Sequence, residues 1–122
     1  NAYPIGTGMS ESSGIFSFPS TGKYLVIINA LFTLNGYDNI IVYMHVTLNN
    51  GGAYTSVARA MDGNNGTGAR SGSGTSFYLL DVTDTSNVKV KFEASSIGTD
   101  SSVTGSTTLA DTSFTFIRIG DT

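Results

Sequence analysis

The residue types that carry most enzyme chemistry are scarce in this chain of 122 residues, which has one histidine and no cysteine. The absence of cysteine excludes a thiolate nucleophile and a disulfide framework. The histidine, His45, lies in an apolar run, and the chain holds no nucleophile motif of the form Gly-x-Ser-x-Gly. A catalytic triad needs a histidine beside a nucleophile and a carboxylate. We therefore expect that the chain is not an enzyme and that His45 has a structural or interface role.

A second candidate for chemistry is the segment Asp62-Gly63-Asn64-Asn65-Gly66, which places side-chain oxygens at alternate positions, as calcium-binding loops do. The twelfth position counted from Asp62 is Ser73, where an EF-hand loop has a bidentate glutamate. Turn formation explains these residues without a metal. We expect no cofactor, and calcium at this loop stays an open alternative.

Recognition is the chemistry that the polar composition favours. Tyrosine, asparagine, serine and glycine are typical of recognition loops, because tyrosine gives a large contact area at a low entropic cost. Tyr37 lies at a predicted turn tip and is the strongest single candidate. We predict that the partner-binding loops use Tyr37, Tyr54, Asp62, Asn64, Asn65, Arg70 and Asp100.

Charge and hydropathy exclude two kinds of partner. The formal net charge of −3 provides no basic field that would attract nucleic acid. No apolar run approaches the roughly 20 residues that an α-helix needs to cross a bilayer. We therefore expect neither nucleic-acid binding nor insertion into a membrane.

The elements that must position these residues are predicted to be short β-strands. Hydrophobic residues make up 39% of the chain and charged residues 12%, which is sufficient for a core, while good helix formers are few. Asn35-Gly36 predicts a tight hairpin between strands 24–34 and 40–48, and residues 83–86 predict another between strands 76–82 and 88–94. Long loops are predicted over 62–75 and 95–111. The remaining predicted strands are 15–18, 54–61 and 113–119.

Several predicted strands are apolar on both faces, although each sheet of a two-layer sandwich needs only one apolar face. Leu25 and Ile27 alternate with a second apolar set in strand 24–34, and Ile41 does the same in strand 40–48. Burying a large aliphatic side chain stabilises by roughly 1.5–3 kcal/mol. We predict that another subunit covers the second face, and the alternative is a cover formed by the chain's own loops. The predicted interface consists of Leu25, Ile27, Leu31, Ile41, Tyr43, His45 and Phe116.

Residues 14–26 resemble the C1q-like branch of the C1q/tumour-necrosis-factor superfamily. The matching residues are Gly14, Phe16 and Pro19, followed by Gly22-Lys23-Tyr24 at the start of a long apolar strand. The resemblance covers about residues 13–119, and its weaker segments are 46–51, 79–82 with 88–90, and 113–117. The chain departs from the family in two places. Only 13 residues precede the first motif, where the family has a strand, and Phe116 stands where the family usually has glycine.

The resemblance implies an all-β jelly-roll sandwich of two antiparallel sheets that assembles as a homotrimer and binds proteins or glycans. Residues 1–122 are then expected to form a single domain, the C-terminal head of a longer chain. Cysteine-free domains of this composition look like viral and bacteriophage fibre tips or capsid decorations. We expect a non-enzymatic structural or attachment domain on a virion surface, with a host-surface protein, a glycan or other virion proteins as partners. The alternative is a secreted, extracellular C1q-like ligand or lectin of a cell.

Overall fold

The computed structural model describes residues 5–122, and this part of the chain forms nine β-strands and no α-helix. It therefore holds no helix that is long and apolar enough to cross a membrane. The strands are β1 (Ser10–Ser12), β2 (Ile15–Ser17), β3 (Gly22–Leu34), β4 (Asp38–Thr47), β5 (Thr55–Asn64), β6 (Arg70–Val82), β7 (Lys89–Ser95), β8 (Ser102–Thr104) and β9 (Ser113–Gly120).

The strands form two antiparallel sheets. Sheet A has the order β1-β2-β7-β4-β5. In sheet B, β3 pairs with β6 along one edge and with β8 and β9 along the other. The predicted all-β class with two antiparallel sheets is confirmed, and the arrangement is compatible with a β-sandwich.

Both predicted hairpins are wrong, because the strands that they were expected to pair lie in different sheets. β3 and β4 are joined by residues 35–37, and β6 and β7 by residues 83–88, and each connection crosses from sheet B to sheet A. Gly36 has a φ of 66°, and the amide of Asp38 donates to the Gly36 carbonyl oxygen at 3.0 Å. This γ-turn reverses the chain as a hairpin turn would. Pairing with remote strands therefore decides which sheet each strand joins.

The predicted long loop 62–75 is also wrong, because β5 continues to Asn64 and β6 begins at Arg70. Glycine is needed within β6 because β5 passes close to it. A Cβ at Gly74 would lie 2.9 Å from the Met61 backbone nitrogen and 3.3 Å from the Ala60 Cβ. The glycines that suggest a loop in the sequence instead let two strands of different sheets approach each other.

The predicted long loop 95–111 contains the short strand β8 and is fixed to β3 by side-chain hydrogen bonds. The hydroxyl of Ser101 accepts from the Asn35 amide at 2.9 Å. The hydroxyl of Thr112 accepts from the Leu31 amide at 3.1 Å and donates to the Thr104 carbonyl at 2.6 Å. These contacts hold one end of the segment at the β3–β4 connection and the other beside β3.

The core lies between the sheets and is formed by the even-numbered residues of β3 and β4, as their alternation predicts. Phenylalanines from both sheets close one side of it. Phe92 of sheet A stacks on Phe114 of sheet B, with ring centroids 3.7 Å apart and planes 7° apart. The other members of this aromatic cluster are Phe16, Phe18 and Phe116. Most odd-numbered residues of β3 and β4 consequently point outward, on opposite sides of the sandwich, although Ile41 and Thr47 of β4 are themselves buried, at 8% and 1% exposure.

Candidate functional site

The outer face of sheet B is apolar across three strands. Leu25 of β3 lies between Leu79 of β6 and Ile117 of β9, and Ile27 lies beside Phe77. Phe77 is 65% exposed and Leu79 61%. We define the apolar outer face as Leu25, Ile27, Leu31, Phe77, Leu79, Ile117 and Ile119. Soluble monomers rarely expose contiguous apolar patches of this kind, and such patches mark interaction sites.

Four of the seven residues of this face were missed in the sequence-based prediction of the interface. Phe77 and Leu79 alternate with the core residues Leu80 and Val82, so strand 76–82 is apolar on both sides, as strand 24–34 is. Ile117 and Ile119 alternate with Phe116 in the same way. The two-sided alternation of β6 would have added Phe77 and Leu79. Strand 113–119 was predicted to be apolar on both faces, but Phe116 was assigned to the interface instead of Ile117 and Ile119.

The outer face of sheet A is polar around His45. The His45 Nδ1 and the Ser56 Oγ are 3.0 Å apart, and the His45 Nε2 lies 3.7 Å from the Glu93 Oε2. The Lys91 ammonium lies 3.6 Å from the same carboxylate oxygen and 4.7 Å from the centre of the Tyr54 ring. The sequence alone did not predict this cluster, because its residues are brought together by the register of β4 with β5 and β7.

Ser56, His45 and Glu93 are the residue types of a hydrolytic triad, but their geometry differs from one. The carboxylate of a triad holds the imidazole by a hydrogen bond, whereas the 3.7 Å between His45 and Glu93 exceeds hydrogen-bond distance. Within residues 5–122, the buried His45 Nε2 and Tyr54 hydroxyl have no hydrogen-bond partner. The three side chains therefore do not form the complete hydrogen-bonded chain of a triad, and Lys91 and Glu93 make this part of the sheet surface charged.

The seven residues predicted as one interface lie in three separate places. Three of them, Leu25, Ile27 and Leu31, lie on the apolar outer face of sheet B. Another three lie on the opposite outer face, in sheet A: Ile41, Tyr43 and His45. Phe116 was expected at the interface, but it pairs with Val26 and contacts the Phe16 ring at a centroid distance of 5.4 Å, so it faces the core side.

Six of the seven predicted loop residues gather at one end of the sandwich, which we call the loop end. Connections 35–37, 65–69 and 96–101 meet there: Asp38 pairs with Asn64 and accepts from the Gly98 amide at 3.0 Å. The six are Tyr37, Asp62, Asn64, Asn65, Arg70 and Asp100. Tyr54 is the exception, because connection 48–54 lies at the opposite end.

The polar side chains of the loop end mostly bond to one another. Arg70 donates to Asp62 at 2.6 Å, and Asn64 donates to the Gly68 carbonyl at 2.6 Å. No group of three or more histidine or carboxylate side chains that could hold a metal ion is found in residues 5–122. Tyr37 is 77% exposed, so its side chain is available for contact.

Two carboxylates, Asp38 at the start of β4 and Asp84 in connection 83–88, are held in their charged form by hydrogen bonds. The Ser101 hydroxyl, with the amides of Gly98 and Asn39, lowers the pKa of Asp38 against the opposing effect of desolvation. In connection 83–88, the Ser86 amide and then the Asn87 side chain lower the pKa of Asp84.

An open cavity of about 540 Å³ lies beside the aromatic cluster, lined by Phe16, Phe92 and Phe114 among others. Glu11 and Glu93 also line it, and the carboxylate of Glu11 accepts from the Gly14 amide at 2.6 Å. Small-ligand sites of this size combine apolar walls with several convergent polar groups. This lining is predominantly apolar, so the cavity defines no ligand chemistry.

Comparisons with protein-family models and with curated proteins found no match to this chain.

Proposed function

We propose that the chain is a non-enzymatic structural or attachment domain that works as a homotrimer. The apolar outer face of sheet B would turn toward the three-fold axis, and the polar outer face of sheet A toward solvent. The loop end would contact the partner, which is a host-surface protein, a glycan or another protein of a virion. The proposed location is the virion surface.

The observation that carries this proposal is the exposure of four large apolar side chains on one face of sheet B. Phe77, Leu79, Ile117 and Ile119 are 65%, 61%, 44% and 55% exposed. Since each leaves about half of its surface in water, burial in an assembly contributes about 1 kcal/mol per side chain. The half-buried Leu25 and Ile27 between them extend the same surface.

A second copy of the chain is a suitable cover because the seven residues of the apolar outer face are uncharged, and the charged residues at its border, Lys23 and Asp81, already lie opposite each other. Most soluble homo-oligomers have closed symmetry, and a ring of three brings three copies of one face together at the axis. Obligate interfaces are also more apolar than other protein surfaces. These properties favour self-association over a charged partner at this face.

The order of the strands supports a jelly roll as the architecture of the protomer. Five of the eight connections between described strands cross from one sheet to the other. Jelly rolls are double-sheet folds in which the chain alternates between layers in this manner. The resemblance of residues 14–26 to C1q-like domains points to the same architecture and to the trimer.

Size-exclusion chromatography with light scattering tests the assembly. We expect a particle of three times the 12.7 kDa chain mass at micromolar concentration. A stable monomer at that concentration would contradict the proposal.

Binding of the purified protein to host cells, compared with a Tyr37→Ala variant that keeps the same mass, tests the role of the loop end.

A further inference from the structure

Three asparagine-glycine pairs occur in the chain: Asn35-Gly36, Asn50-Gly51 and Asn65-Gly66. In such a pair the backbone nitrogen of the glycine reaches the asparagine side chain easily, because glycine has no Cβ in the way. We propose that Asn35 is a self-modification site, which converts to aspartate and isoaspartate without a catalyst, while the fold protects Asn50 and Asn65.

The reaction balances with water as its co-reactant. The Gly36 nitrogen attacks the Asn35 Cγ, a nitrogen–carbon bond forms, and the Cγ–Nδ2 bond breaks. The amide proton of Gly36 leaves with Nδ2 as ammonia, and a five-membered succinimide remains. Water then opens the ring. Cleavage at the side-chain carbonyl gives aspartate, and cleavage at the main-chain carbonyl gives isoaspartate.

The fold occupies the attacking nitrogen at two of the three pairs. The Gly51 amide donates to the Thr47 hydroxyl at 3.1 Å, and Thr47 is 1% exposed. The Gly66 amide donates to the Asn64 Oδ1 at 3.0 Å, and Asn64 is 7% exposed. Each of these hydrogen bonds to a buried side chain must break before the nitrogen can attack.

The third pair lacks this protection. Within residues 5–122 the Gly36 amide has no hydrogen-bond acceptor, although the Gly36 carbonyl accepts from Asp38. A Cβ built at Gly36 would meet nothing within 4 Å, so the surroundings of this residue are open. The Asn35 amide is fixed by Ser101, while its side chain makes no hydrogen bond to the described residues.

The product would change the loop end in two ways. Aspartate or isoaspartate at position 35 adds a negative charge three residues from Asp38, whose carboxylate is already held charged. Isoaspartate also lengthens the main chain of connection 35–37, which carries the exposed Tyr37. An effect on partner binding rests on the proposed function, whereas the reaction itself does not.

Peptide mapping by mass spectrometry tests the proposal. The folded protein is incubated in mildly alkaline buffer, digested with trypsin, and the conversion is located by fragmentation of peptides 24–59 and 60–70. We expect Asn35 to convert at least about fivefold faster than Asn50 or Asn65, which is the rate factor that one hydrogen bond provides. Equal or slower conversion of Asn35 would overturn the proposal.

Controls distinguish the fold from the local sequence. In urea-unfolded protein the three conversion rates are expected to become similar, and a ranking that persists there would show that the fold is not its cause.

Thr47→Val frees the Gly51 amide and should accelerate conversion of Asn50 alone. Asn64→Ala should do the same for Asn65, so the test survives if one variant fails to fold. Unchanged rates in a folded variant would contradict the protection by hydrogen bonds.

Discussion

The two outer faces of the sandwich are built from paired strands of similar length, yet they present opposite chemistry. On sheet B, Leu25 lies between Leu79 and Ile117, and the charged pair Lys23 and Asp81 lies at the border of this apolar patch. On sheet A, the equivalent central position is occupied by His45, with Ser56 on one side and Lys91 on the other.

The difference separates a face that water can solvate from one that it cannot. Lys91 and Glu93 hydrate well and pair only loosely, at 3.6 Å. Phe77 and Leu79 leave most of their surface in contact with water, so covering them with another apolar surface would be stabilising. Alternation alone does not distinguish the two faces, because both strands β3 and β4 are partly apolar on their outer side. The neighbouring strands decide the character of each face.

The largest expected effect is the loss of assembly in Phe77→Asp. The variant places a carboxylate in the middle of the proposed interface, where burial without a partner costs several kcal/mol. Since Phe77 is 65% exposed in the protomer, the chain itself should still fold. Light scattering should show monomers or aggregates, with an unchanged circular dichroism spectrum for the monomer.

The matched control is Met61→Asp, which adds the same charge to the other outer face, where Met61 is 46% exposed. This variant should keep the mass of the wild type. Dissociation of both variants, or of neither, would remove the distinction between the faces.

Acid should weaken folding before it affects assembly. The hydrogen bonds from Ser101 and Ser86 hold the pKa of Asp38 and Asp84 below their ordinary value of 3.8. The stability that these carboxylates contribute is present above the ordinary pKa and is lost as the pH falls through their lowered values. The free energy of unfolding in urea should therefore fall below about pH 4, and less steeply in Asp84→Asn. The seven residues of the apolar outer face do not titrate, and the carboxylate of Asp81 lies only at its border, so the mass of the still-folded protein should change little over this range.

Removing the charged pair on sheet A should have a small effect. Glu93 is 56% exposed in its side chain, so Glu93→Gln should change the free energy of unfolding by less than about 1 kcal/mol. Urea denaturation measures this value, and sedimentation should show an unchanged mass. A dissociated Glu93→Gln variant would mean that the polar face takes part in the interface.

The smallest structural effect is expected for Tyr37→Ala at the loop end. At 77% exposure, the side chain contributes little to folding, and both the melting temperature and the mass should match the wild type. A clear loss of thermal stability would show that Tyr37 packs within the domain instead of facing a partner.

The sequence was sufficient for the class of fold and for part of the apolar face. The strict alternation of β3 identifies Val26 and Ile28 as core and Leu25 and Ile27 as outer residues, because strand geometry has a period of two. The same logic applied to β6 would have identified Phe77 and Leu79. These predictions are local and depend only on neighbouring residues.

Features that depend on pairing between strands far apart in the chain could not be predicted from the sequence. Asn35-Gly36 is compatible with a hairpin or with a sheet-crossing connection, and only the pairing of β3 with β6 and of β4 with β7 decides between them. Gly74 resembles a loop residue until β5 is known to pass beside it. The contact of His45 with Ser56 and Glu93 likewise joins three strands through their register.

The most direct test of the apolar interface uses the absence of cysteine in the chain, since any introduced thiol is then unique. Leu79→Cys marks the outer face of sheet B and Met61→Cys the outer face of sheet A. The rate of thiol labelling is measured for each variant over a series of protein concentrations. The account predicts that labelling at position 79 slows as the concentration rises, while labelling at position 61 stays fast. Equal and concentration-independent rates at both positions would contradict it.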